Sequence, residues 1–158
     1  MSFFVAAGIS IGVLAGIWAQ FCGNFGLFSW VGFVSWACFY AAGGKVEGLK
    51  KTLLANLSGV FWAFIIIVIM GLMPNFPYAL GVAVIIGAFA MCAQAHISLL
   101  GFIPGAFCGA ASTFGGNLDY LSVAISLVCG AVLGYISEII AVWLVNVTAK
   151  KAKEEKAE

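Results

Sequence analysis

The chain has 158 residues, 64% of them hydrophobic and only 8% charged, with a formal net charge of +1. A soluble domain of this size needs far more surface charge, so the composition excludes one and points to an integral membrane protein. The charge balance also offers no basic face for nucleic acid and no reason to expect an acidic substrate.

The first apolar segment, 3–21, lacks a positively charged start and runs on into further apolar segments, so it reads as a retained helix and not a cleaved leader. Gly8, Gly12 and Gly16 recur in it every fourth residue, a spacing that lets helix backbones approach closely in a membrane. Gln20 closes it. The second segment, 25–43, contains most of "WVGFVSWACFYAAGG" and leads into the lysine-bearing loop "GGKVEGLKK". The third, 53–73, carries Asn56 and Ser58 one turn in, within "LLANLSG", and gives way to "PNFP". The fourth, 78–98, ends in "AQAHISLL", which holds Gln94 and the one histidine, His96.

The fifth segment, 101–116, lies in "LLGFIPGAFCGAASTFGG". It is short for a span, which needs about 20 apolar residues within a range of about 17–25. Pro104 removes a backbone donor and frees a carbonyl near Leu100. Such groups survive at membrane depth only against protein or water, so a short, broken fifth helix packed inside the bundle is expected. Gly101, Gly105 and Gly109 form a second stripe, and Ser112 and Thr113 stand near the end. The sixth segment, 120–147, carries a third stripe, the pair Gly130 and Gly134, and the one acid well inside a segment, Glu138. Glu138 lies roughly 13 Å from the segment's end at about 1.5 Å per residue. An ionisable group at that depth is costly unless paired or wet, so it reads as a proton-coupling or pore-lining acid, or as a hydrogen-bonded structural one.

The lysines fall in the loop after the second segment and in the tail "KKAKEEKAE", and there is no arginine. Cytoplasmic loops collect lysine, so both clusters are expected inside, with four crossings between them and both termini cytoplasmic. The predicted fold is therefore an all-α integral membrane protein of six transmembrane helices. Its single transmembrane domain covers 1–148 and its charged cytoplasmic tail 149–158. Trp18, Trp30, Tyr78 and Tyr120 fall near the outer interface and Trp143 near the inner one.

The two halves echo each other at about 72 residues, a period suited to an inverted three-plus-three repeat facing the bilayer midplane. "GIWAQF" matches "AMCAQA", pairing Gln20 with Gln94, and the second and fifth segments share Gly-Phe, a central cysteine (Cys38, Cys108) and a closing double glycine. The remaining cysteines also lie in apolar segments, none in a CxxC pair, and read as small buried residues. No metal-ligand cluster, nucleophile elbow or phosphate-cradling loop is present, so no enzyme, catalytic residue, metal or cofactor is expected.

The stretches "WVGFVSWACFYAAGG", "NLSG" and "FIPGAFCGAASTFGG" resemble the YcdZ-like family of small bacterial inner-membrane proteins. The resemblance implies a multi-pass protein of the bacterial cytoplasmic membrane and brings no substrate or site residue with it. The residues themselves favour a channel or facilitator for a small, mostly uncharged solute. Its path would draw on Gln20, Gln94, His96, Asn56, Ser112, Thr113 and Glu138. The alternatives are a proton-coupled transporter using Glu138 and a non-transporting scaffold. The expected partners are the lipid bilayer, the solute and, through the glycine stripes, further copies of the chain.

Overall fold

The computed structural model describes residues 1–154, with side chains described to residue 150. Among the described residues the chain is all-helical, with six α-helices: α1 (Phe3–Phe21), α2 (Ser29–Ala41), α3 (Lys45–Gly71), α4 (Ala79–Ala93), α5 (Ile103–Gly115) and α6 (Tyr120–Glu154). Four stretches are long and apolar enough to cross a membrane, Phe3–Phe25, Lys45–Gly71, Ala79–His96 and Tyr120–Lys150. The protein is a membrane protein on this ground, and exposed side chains such as Phe4, Ile85 and Phe89 belong to its lipid-facing surface.

The first helix has the expected bounds, but the others differ. Both α2 and α5 have 13 residues, about 20 Å of helix, against a hydrocarbon core of about 30 Å. The start of α2 is delayed by a 3-10 turn, Cys22–Phe25, that closes on left-handed Gly26 (φ 70°). The fifth segment is short without being broken. Pro104 sits in the first turn of α5, where a helix has no use for the missing N–H, so no interior carbonyl is freed. The irregular backbone lies before it, in two 3-10 turns at Gln94–His96 and Ser98–Leu100. The lysine loop is mostly helix, because α3 begins at Lys45 and an Lys51–Glu47 pair at 3.8 Å bridges its first turns. At 35 residues, α6 is about 52 Å long. Residues 149–154 of the expected tail continue it, and 155–158 lie outside the described residues.

The helices pack in two matched sets. Gly32 meets Gly130 and Phe28 meets Ser126, so α2 lies along α6 in the same direction. Gly105 meets Ala55 and Gly59 meets Ala106, so α5 lies along α3, also in the same direction. The antiparallel α1 joins α6 through Ala6, Ala7 and Ala141, and Ser10 Oγ donates to the Ser137 carbonyl at 2.8 Å. The antiparallel α4 joins α3 through Gly87 against Ile66 and Met91 against Ala63.

Lipid tails are as apolar as leucine, so close backbone approach does what hydrophobic burial does in water. A Cβ on Gly59 would strike the Ala106 carbonyl, one on Gly109 the Asn56 carbonyl, and one on Gly130 the Gly32 carbonyl. Gly105 and Gly134 pack on Phe102 and Phe39. Gly8, Gly12 and Gly16 have nothing within 4 Å, so they pack on no other helix of the protomer, and Gly101 faces its own preceding turn. Spacing identifies a stripe but not the direction in which it faces. Gly32, Gly59 and Gly87, outside any regular stripe, make contacts as tight.

The start of α6 is capped by Asp119, whose Oδ1 accepts the Ser122 N–H at 3.1 Å. Hydrogen bonds from the Ser122 side chain and backbone hold this carboxyl below its usual range. A depressed carboxylate contributes above its unfolded value, and the contribution is lost as pH falls through the folded value. Amide exchange at Ser122 is therefore expected to stay slow down to acid pH and then rise, and Asp119→Ala should make it fast at every pH.

Candidate functional site

A buried polar line runs along α3. Thr52 and Asn56 are four residues apart, so they share one face about 6 Å apart along the axis. Both are fully buried. Asn56 reaches across to α2, where its Nδ2 donates to Ser35 Oγ at 2.8 Å. Its Oδ1 has no hydrogen-bond partner among the described residues, and neither has Thr52 Oγ1. The third such atom is Ser112 Oγ on α5. Ser112 follows Gly109, which rests on the Asn56 carbonyl. Because α5 runs parallel to α3, Ser112 lies further from the Thr52 end than that contact does.

These atoms break a rule that most buried hydroxyls of this interior obey. Buried helical hydroxyls usually return their proton to a carbonyl of the preceding turn. Thr113 donates to Gly109 at 2.9 Å, Ser126 to Ser122 at 2.6 Å and Ser137 to Gly134 at 2.7 Å. Leaving a buried polar atom unpaired costs about 1–3 kcal/mol, so three along one line call for an explanation.

A cavity of about 310 Å³ lies near one end of α3. Lys51, the neighbour of Thr52, lines it with Ala41, Ala42, Ser98, Gly101 and Phe102. This cavity sits where α2 ends and α3 and α5 begin. No charged residue is among the unpartnered three, so the line suits neutral polar matter.

The sequence places Asn56, Ser112 and Thr113 in this interior, and Thr113 is bonded to its own helix. Thr52 and Ser35 complete the set, and neither was expected. The signal for Thr52 was its position four residues before Asn56. Gln94 is not on the line. Its Oε1 accepts from Trp62 Nε1 at 2.9 Å and its Nε2 donates to Ser58 Oγ at 3.0 Å, which ties the end of α4 to α3. Gln94→Ala is expected to cost about 1–2 kcal/mol, from two lost hydrogen bonds, measurable as a lower thermal midpoint in detergent. Gln20 and His96 are exposed.

Glu138 stands apart as well. Its Oε2 accepts the backbone N–H of Lys45 at 2.6 Å, and its carboxylate lies against Gly44, where a Cβ would come within 2.8 Å of Oε1. Gly43, Gly44 and Lys45 all have positive φ, 100°, 66° and 58°, and the carboxylate holds this turn at the positive end of the α3 dipole. Cys38, paired with Cys108 in the sequence echo, is buried, and Cys108 is half-buried. All five cysteines are free.

Residues 8–142 match a family described as a protein of unknown function, DUF1097. The chain is 38% identical to the "Inner membrane protein YcdZ" of Escherichia coli over 156 residues, covering 98% of this chain and 96% of that one. It is 37% identical to the YcdZ protein of Salmonella typhimurium over 92% of both chains. It is 30% identical to the "Uncharacterized protein YahC" of Escherichia coli, over 87% of this chain and 90% of the other. No solved structure matches it.

Proposed function

The chain belongs to the DUF1097 family, and on that premise we propose that it is an inner-membrane facilitator for a small, uncharged, polar solute. The solute passes along Thr52, Asn56 and Ser112. The observation that carries this reading is the row of buried oxygen atoms without partners between the two short helices and α3. A passing solute would satisfy them in turn and needs no charged ring.

Two further features support a six-crossing, inverted-repeat arrangement for this path. The pair α2 with α6 has its counterpart in α5 with α3, and α1 with α6 in α4 with α3. The matched crossings join residues 32 and 130 in one pair and 106 and 59 in the other. Residues 32 and 106 are 74 apart and 59 and 130 are 71 apart, both near the sequence echo. Two short helices near the centre shorten the dry distance a solute must cross. Both lysine clusters also fall on one side of the bundle, because α6 passes the start of α3 at Glu138 and continues to Lys150. With lysines inside, both termini are cytoplasmic.

The open stripe of Gly8, Gly12 and Gly16 gives the protomer a face for a second copy. Gly12→Leu is expected to leave the protomer folded and to reduce chemical cross-linking between copies in the membrane.

Flux into proteoliposomes tests the main reading. Labelled small neutral solutes should equilibrate at least tenfold faster than in empty vesicles. Equal rates for every solute in a broad panel would overturn it.

A further inference from the structure

The proposed path also restricts the chemistry of what it carries, and this step rests on the facilitator reading above. Thr52 Oγ1 and Asn56 Oδ1 lie one helical turn apart on the same face, both buried and both without a partner. The turn rises about 6 Å. One atom is a hydroxyl, which donates and accepts, and the other belongs to a carboxamide, which offers an oxygen and an NH₂ group. On the far side of Asn56 stands Ser35, already in its hydrogen bond.

We propose that the solute is a small amide of the urea or acetamide type, bridging Thr52 and Asn56 as it passes. An amide oxygen and nitrogen are about 2.3 Å apart, and each adds a hydrogen bond of about 2.9 Å, so one molecule spans groups about 6–8 Å apart. Its N–H donates to one side chain while its C=O accepts from the other. The match survives either orientation of the Asn56 amide, because the solute carries both functions.

Competing solutes fit less well. A single water or ammonia molecule is too small to reach both groups at once. A polyol such as glycerol has the right polarity but is bulkier and has no planar donor–acceptor pair. Ions are disfavoured because the line offers no opposite charge and the interior is dry, where an unpaired charge is costly. Ser112, further along α5, provides the next hydroxyl for the same solute.

Stopped-flow light scattering on proteoliposomes, with inward gradients of urea, acetamide and glycerol, tests this. Urea and acetamide should permeate at least tenfold faster than glycerol. Thr52→Val, which keeps the side chain's shape, should lower the amide rates at least tenfold while circular dichroism and the thermal midpoint stay unchanged. Glycerol entering as fast as urea would overturn the amide assignment and leave the facilitator standing. Unchanged amide flux in Thr52→Val would do the same. No flux of any of the three, or of a wider neutral panel, would remove the facilitator and this inference together.

Discussion

Asn56→Leu is expected to abolish solute flux without unfolding the protein. Asn56 is 1% exposed, and its Oδ1 has no partner. Removing an unpaired buried acceptor relieves about 1–3 kcal/mol, whereas losing the bond to Ser35 costs about 1 kcal/mol. The Ser35 hydroxyl can then turn to its own helix, as others in this bundle do. The thermal midpoint should therefore stay level or rise while flux falls at least tenfold. A purely structural asparagine would give the opposite pairing, with a lower midpoint and flux per folded molecule intact.

Gly59→Val should have the largest effect on stability. A Cβ at this position would strike the Ala106 carbonyl and come within 2.7 Å of the Ala110 nitrogen. Both are backbone atoms, so no rotamer change relieves the clash, and α3 and α5 must separate. Overpacking of this kind costs about 3 kcal/mol, in a contact that also positions Ser112 beside the α3 line. Loss of the folded fraction in detergent, followed by fluorescence-detected size exclusion, is the measurement. Gly8→Ala provides the control. Nothing lies within 4 Å of its Cβ, and alanine is the better helix former by about 1 kcal/mol, so stability should hold or increase.

Much of this fold is legible in the sequence. Continuous apolar runs located every helix, since a bilayer leaves helices few alternatives. The ends were less legible. The second segment is as apolar as the first, yet α2 is short because Gly26 and the Gly43–Gly44 turn adopt left-handed backbone at either side. Composition does not reveal φ. Lysines usually mark a loop, but Lys45, Lys50 and Lys51 lie in α3, because the acceptor that closes its first turn is Glu138, 93 residues away. The site was half legible. Asn56 and Ser112 stand out as polar groups in apolar runs. Thr52 does not, because a threonine beside lysines reads as the edge of a loop. That these three lack partners is a tertiary fact, and no residue pattern encodes it.

The brevity of α2 and α5 also has an electrical consequence. Two helices of about 20 Å cannot insulate a path as a bilayer of about 30 Å does. In the proposed six-crossing arrangement, the membrane potential along their axis would fall over roughly two-thirds of the usual distance, so the local field would be about half again as steep. A neutral molecule feels little of that field. Any ion drawn into the constriction would feel all of it. The proposed passage of an uncharged solute past two short helices therefore requires a centre free of ionisable side chains, and Thr52, Asn56 and Ser112 supply none.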